Sequence, residues 1–283
     1  MKKVAIIGAN RFLGFHLTKI FLEQGAEVYG YVHDGHPEEG IVRKEMSFMY
    51  GRNANFTEVT DLSKIFKDQN IEAVYFTYID GGDLYRRSFL RGKIVEAYDA
   101  LKQTISFCKR QHIPLIFPSS LEVFGDHQQT VEKSTLPEPT TAAGKLYYEF
   151  EKKLQYHCNQ NRCYIVRCAT LYGPLQPMSM VFQQSFLGNQ ISKISEDKRD
   201  LLYVEDVALE LSDERKLNKL APLSHFISGQ KRQWQKAASL AGVKGARNGP
   251  HISCQQCHHI AYTRVEEGIE KQRKSTELLF LEK

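Results

Sequence analysis

The chain opens with a strand that runs into a glycine turn, and this constrains the fold more than any other stretch. Lys2-Lys3-Val4-Ala5-Ile6-Ile7 is short and apolar. Gly8-Ala9-Asn10-Arg11-Phe12-Leu13-Gly14 follows, then Phe15-His16-Leu17-Thr18-Lys19-Ile20-Phe21-Leu22 with helical amphipathicity, then the strand Glu27-Val28-Tyr29-Gly30-Tyr31-Val32. Strand, glycine turn, helix and strand in this order form one βαβ unit, the setting in which a glycine pattern reads as a dinucleotide site. Gly8 permits the tight turn, and the N–H groups and dipole at the helix start favour a pyrophosphate. The pattern is incomplete: a Gly-x-x-Gly-x-x-Gly spacing puts its middle glycine at position 11, which is Arg11. A guanidinium there either blocks close approach of a cofactor or adds a phosphate contact.

Apolar runs recur further on, at Ala73-Val74-Tyr75-Phe76, Pro114-Leu115-Ile116-Phe117 and Tyr164-Ile165-Val166. Amphipathic stretches at 60–69, 93–112 and 143–160 separate them. This alternation predicts an α/β fold, a doubly wound parallel sheet with helices on both faces. After Leu171-Tyr172-Gly173-Pro174 the alternation weakens, so residues 1–173 read as the main domain and 174–283 as a smaller mixed α/β lobe. Segments around 200–210 are expected to return to the main domain. A ligand cleft then lies between the lobe and the C-terminal edge of the sheet.

A chain of 283 residues buries a substantial core. Its net charge of +5 is mild, and a dedicated nucleic-acid binder concentrates Lys and Arg more strongly. Lys2 and Lys3 precede only four apolar residues, too few for a signal peptide, and no apolar run reaches membrane-spanning length. The expectation is a cytoplasmic protein whose six cysteines are reduced thiols.

Several ordered segments resemble the extended short-chain dehydrogenase/reductase family, the NAD-dependent epimerases and dehydratases of sugar nucleotides. Ile71-Glu72-Ala73-Val74-Tyr75-Phe76 resembles the family's fourth strand, and Pro118-Ser119-Ser120-Leu121-Glu122-Val123-Phe124-Gly125 its Ser-Ser-x-x-Val-Tyr-Gly segment. Val166-Arg167-Cys168-Ala169-Thr170-Leu171-Tyr172-Gly173-Pro174 is similar to its Arg-x-x-x-x-Tyr-Gly-Pro segment. Arg199-Asp200-Leu201-Leu202-Tyr203-Val204-Glu205-Asp206-Val207-Ala208 and Val265-Glu266-Glu267-Gly268-Ile269 match two later ones. The resemblance implies a Rossmann domain binding NAD or NADP, a nucleotide-sugar ligand, and a homodimer through the helices at 93–112 and 143–160.

The family's chemistry uses a Tyr, a Lys four residues on that favours the phenolate, and a Ser that orients the substrate hydroxyl. Anchoring on Gly144 and Glu151 puts Ala143 at the Tyr position and Tyr147 at the Lys position, leaving Ser120 at the Ser position. A displaced pair, Tyr148 and Lys152, has the same spacing but requires a five-residue slip along the helix. The cofactor contacts implied by the resemblance are Gly8, Asn10, Arg11, Phe12, Leu13 and Gly14 at the turn, and His33 after the second strand. They continue with Asn55 and Phe56 at the adenine, and Thr77 and Tyr78 after the fourth strand. Thr77-Tyr78-Ile79 is bulkier than the small residues the family carries there, and His33-Asp34 mixes the signals for NAD and NADP. Arg199 is the expected phosphate contact to a sugar nucleotide, weighed against a plain ion pair with an aspartate.

Arg11 also has a precedent among atypical members with Gly-Gly-Thr-Arg-Phe-x-Gly turns, a group that includes relatives of RNA-binding proteins lacking the catalytic pair. Three functions follow: a nucleotide-binding member without the usual redox chemistry, an active enzyme using Ser120 with Tyr148 and Lys152, and a non-enzymatic RNA- or protein-binding protein. Cys254-Gln255-Gln256-Cys257-His258 spells a haem attachment site, but no export signal accompanies it. Zinc at Cys254, Cys257 and His258 or His259 needs four ligands; no second Cys-x-x-Cys exists, and Cys158 and Cys163 join only through the fold. No metal is expected. Trp234 is expected to pack in the small lobe.

Overall fold

The computed structural model describes residues 1–34, 37–80, 87–125, 127, 128, 130–132, 134–157, 162–191, 194, 197–244, 252–254 and 256–280. Its centre is an eight-stranded sheet in the order β10-β9-β6-β5-β4-β1-β2-β3. β1 (Lys3–Ile7) pairs in parallel with β2 (Glu27–Tyr31) and β4 (Ala73–Phe76), and β3 (Phe56–Val59) extends β2. On the other side β5 (Leu115–Ser120), β6 (Cys163–Cys168), β9 (Leu223–Ile227) and β10 (His258–His259) follow, all parallel. Val4, Ala5, Ile6 and Ile7 are all fully buried, which is why β1 is an unbroken apolar run with no polar alternation.

Helices cover both faces. α1 (Phe12–Glu23), α2 (Gly40–Tyr50) and α7 (Val204–Ser212) pack on one side, with Phe15, Met46 and Val207 in one apolar layer. α3 (Leu62–Ile65), α4 (Arg87–Gln111) and α5 (Ala142–His157) pack on the other, with Ile65, Phe107 and Phe150 in the second. Each buried side chain of this size contributes roughly 1.5–3 kcal/mol. Gly14 lets α1 lie close on β1: a Cβ there would stand 2.0 Å from the Gly8 carbonyl oxygen.

Beyond residue 173 the chain returns to the main sheet. β9 and β10 complete the main sheet beyond β6, and α7 packs on α1, with the short α8 (Glu214–Leu217) directly after it. The returning strand satisfies the backbone N–H and C=O groups along the edge of β6: Ile165 to Cys168 pair with Leu223 to Phe226. What remains separate is a small cluster. It joins the two-stranded sheet β7 (Thr170–Tyr172) and β8 (Leu201–Tyr203) to α6 (Val181–Phe186), α9 (Gln233–Leu240) and α10 (Val265–Phe280). Trp234 is fully buried there, 5.7 Å from the Phe182 ring centre.

The expectation of six reduced thiols also fails. Cys254 and Cys257 form a disulfide, because a two-residue spacing brings their Cα atoms to 5.7 Å. Cys108, Cys163 and Cys168 are thiols outside any disulfide, and Cys158 lies outside the described residues. Among the described residues no helix is long and apolar enough to cross a membrane.

Candidate functional site

The C-terminal ends of β1, β2, β4, β5 and β6 bring Gly8, His33, Thr77, Ser120 and Ala169 to one edge of the sheet. Parallel strands bind ligands at that edge. A cavity of about 80 Å³ opens there, lined among others by Phe12, Thr77, Asp80, Ser120, Tyr147 and Thr170.

At the turn, the N–H groups of Gly8 and Ala9 both donate to the Tyr31 carbonyl at 2.9 Å. Arg11 precedes α1 with no side-chain cap. The first amide of the helix, Phe12 N–H, instead donates to the Asp80 carboxylate at 3.2 Å. The turn therefore suits an anion and holds one from the chain itself. Asn10 laces the turn to the end of β2, its amide donating to the His33 carbonyl at 2.8 Å.

An aromatic stack closes the end of β2. The His33 ring stacks on Tyr78 with centroids 3.8 Å apart and planes 12° from parallel. Arg11 Nε donates to His33 Nε2 at 3.2 Å. Burial, and then the Arg11 charge, hold the His33 imidazole well below its usual pKa. Burial likewise pushes the Tyr78 phenol far above its ordinary value. The turn thus fits a pyrophosphate, and the His33–Tyr78 stack stands beside it at the end of β2.

Asn55 and Phe56 are not at this edge. They stand at the start of β3, where the Asn55 carbonyl accepts from Val28 N–H at 2.8 Å and the Phe56 ring packs 4.3 Å from Tyr50. The residue that β3 does deliver to the ligand edge is Asp61, just past Val59, whose carbonyl accepts from Val32 N–H at 2.9 Å. The Asp61 carboxyl accepts from the Ser63 hydroxyl at 2.8 Å and, capping α3, from Ser63 N–H at 2.9 Å, which together hold its pKa below the usual range. The signal for it was the exposed acid after the apolar end of a strand, six residues beyond Asn55.

On the catalytic side, Ser120 ends β5, and its Oγ accepts from Glu122 N–H at 3.1 Å. Its hydroxyl proton is thereby turned away from that bond. The neighbouring Ser119 donates to Glu151 at 2.5 Å, and Arg167 holds the same carboxylate at 2.6 Å. Both members of that pair are almost fully buried. Arg167 also lies 4.7 Å from the Phe124 ring centre and 3.5 Å from His225 Nε2. Burial and the Arg167 charge lower His225 to about 4.

α5 starts with Thr141 as its cap, whose hydroxyl accepts from Gly144 N–H at 2.9 Å and donates to Glu122 at 2.8 Å. A Cβ on Gly144 would stand 2.2 Å from the Glu122 carbonyl oxygen. Ala143 is buried, and Tyr147, one turn later on the same face, reaches the cavity. Tyr148 and Lys152 do not line it. Lys152 is exposed, pairs with Glu149 at 2.5 Å, and lies 5.1 Å from the Tyr148 ring centre.

Arg199 is buried with every N–H engaged. It donates to Asp197 at 2.7–3.0 Å and to the carbonyls of Leu121, Gly125 and Gln128 at 2.8–3.1 Å. The guanidinium carries five N–H donors, and these contacts use them all. It ties the turn after β5 to the segment before β8, and it does not line the cavity.

The fold has solved counterparts. UDP-glucuronic acid 4-epimerase from Bacillus cereus, in complex with NAD, is 20% identical with a TM-score of 0.74, covering 98% of this chain and 97% of that one. The dTDP-glucose 4,6-dehydratase of Bacillus anthracis, in complex with NAD, is 13% identical with a TM-score of 0.73, covering 98% and 97%. UDP-glucose 4-epimerase from Thermotoga maritima, with UDP-glucose, is 14% identical with a TM-score of 0.69, covering 98% and 99%. No curated protein matches the chain by sequence. The model of the NAD dependent epimerase/dehydratase family matches residues 4–210, most of the chain, and the chain belongs to that family.

Proposed function

We propose that this chain binds a nicotinamide dinucleotide at the β1–α1 turn and a nucleotide-sugar-type ligand in the adjoining cavity, without Tyr–Lys acid–base catalysis. The observation that carries this is the cavity wall itself. Ser120 and Tyr147 stand on it, and the position one turn before Tyr147 is Ala143. Ala143 has no proton to exchange, and Tyr147 has no ammonium to favour a phenolate. One protein of the same fold binds NAD with UDP-glucuronic acid, and another binds UDP-glucose.

In this reading the N-terminus of α1 exchanges the Asp80 carboxylate for the ligand's pyrophosphate, and His33 turns off Tyr78. A nicotinamide, when bound, would supply hydride chemistry, which stays marginal without a base to take the proton of the sugar hydroxyl. Ser120 then orients a sugar hydroxyl, and Tyr147 fills the wall beside it. Either NAD or NADP suits the Arg11–His33 corner, where a guanidinium stands beside a neutral ring. We further propose a homodimer through α4 and α5, where Val95 and Tyr156 are exposed apolar residues.

The test is equilibrium binding of NAD and NADP, followed by turnover assays with UDP-glucose and UDP-glucuronic acid. Binding with negligible turnover supports the reading. Robust turnover abolished by Tyr148→Phe or Lys152→Ala shows instead that the displaced pair is the working one.

A further inference from the structure

The row of buried polar side chains that starts at Ser119 does not end at Arg167. The strand register sets Ser119 beside Arg167 and Arg167 beside His225, on one face of β5, β6 and β9. His225 is 4% exposed, with its ring edge-on to Phe124 at 5.4 Å. The segment before β10 is tied back to this region, with Val131 N–H donating to the Ser253 carbonyl at 2.8 Å and a parallel bridge from Thr130 to Ser253. It carries Cys254 and Cys257 to the end of the row. Both sulfurs and a ring nitrogen of His225 lie within 4.8 Å of one another.

We infer that the reduced chain binds a zinc ion through Cys254, Cys257 and His225, and that the Cys254–Cys257 disulfide is the metal-free oxidised form. Two thiolates and an imidazole converging from two elements are the donors zinc selects. The third ligand is His225, brought in by the fold, and not His258 or His259 of the sequence motif. β10 directs His258 to the ring of Phe226, 5.5 Å away, and His259 to Gly229. The Arg167 charge, which disfavours a proton on His225, is offset in part by Glu151 through three contacts at 2.6–3.2 Å, and the two thiolates bring to a metal ion the negative charge that a lone proton on the ring lacks.

The chemistry balances. A dithiol reductant breaks the Cys254–Cys257 bond, becomes a disulfide itself, and passes two protons and two electrons to the cysteines. Zinc then displaces the two thiol protons, which go to solvent, and forms two Zn–S bonds and one Zn–N bond. Three protein ligands leave the fourth tetrahedral position to water.

The full chain, reduced and then freed of reductant, is titrated with zinc against a chromophoric chelator. The expected result is one zinc per chain, with affinity weakened by about tenfold or more in His225→Gln and lost in the double variant Cys254→Ser with Cys257→Ser. His258→Ala and His259→Ala retain full affinity. Cobalt gives a thiolate charge-transfer band in the reduced wild type and none after oxidation. Zinc raises the melting temperature of the reduced wild type but not of the cysteine variant, which separates binding from a folding defect. Absence of zinc binding after complete reduction overturns the assignment. So does equal affinity in a folded His225→Gln.

Discussion

Asp80 holds its carboxylate 3.2 Å from the backbone N–H of Phe12, at the first turn of α1. A negative charge at a helix N-terminus gains about 0.3–1 kcal/mol. Asp80 therefore occupies the interaction that a pyrophosphate needs. Asp80→Asn is expected to tighten NAD binding by roughly two- to fivefold, the affinity equivalent of that energy. Titration calorimetry reads the change, and an unaltered or weaker affinity removes Asp80 as a competitor.

The cavity wall gives a prediction about catalysis. General acid–base groups contribute about 10²–10⁴ in rate. The double variant Ala143→Tyr with Tyr147→Lys is expected to gain NAD-dependent turnover of a UDP-sugar over the wild type. It also loses roughly 1–3 kcal/mol of stability, since Ala143 is 2% exposed and a ring there overpacks the site. Tyr148→Phe and Lys152→Ala leave both sugar binding and turnover at wild-type level. A folded but inert double variant defeats this prediction.

The buried pair of Arg167 and Glu151 predicts an asymmetry in stability. Arg167→Met strands the Glu151 carboxylate and costs about 3–5 kcal/mol. Pairing it with Glu151→Leu restores most of the loss, because no uncompensated charge remains. Urea unfolding of the two proteins measures this, and equal midpoints for single and double variants contradict it.

Two imidazoles set the acid side of the stability curve. His33 sits well below 6.5 through burial and Arg11, and His225 is lowered from 6.5 to about 4 through burial and Arg167. In the unfolded chain both take up protons near 6.5, so below that pH the unfolded state binds more protons. Their contribution is fully present above 6.5 and is lost as pH falls, for His225 through about 4. Melting temperatures across this range should fall steeply for the wild type and less steeply for His33→Gln. Parallel curves would falsify the linkage for His33.

The first βαβ unit was legible because Val4 to Ile7 are apolar on both faces and Gly14 marks where α1 touches β1. Asn55 and Phe56, taken from the resemblance as adenine contacts, stand at the start of β3, because a resemblance in sequence does not say where a strand begins and ends. The end of β3 is fixed by pairing with β2, as Tyr31 meets Val59. The stack of His33 on Tyr78 depends on two turns 45 residues apart in sequence. Local pattern carries no such information. The return of β9 to the sheet and the meeting of His225 with Cys254 and Cys257 were hidden for the same reason. Arg199 was recognisable as a cation in a ligand-facing segment, but its donors are claimed by carbonyls of a turn distant in sequence.

Gly144 has a historical consequence. Its hydrogen faces the Glu122 carbonyl so closely that a Cβ would stand 2.2 Å away. Sliding α5 along its axis by five residues, to present Tyr148 and Lys152, would drive the side chain of Glu149 into that carbonyl. The helix is pinned in register at its first turn. A lineage that regained proton-transfer chemistry on this scaffold would have to do so by replacing residues in place. Insertions and deletions in α5 are closed to it as a route.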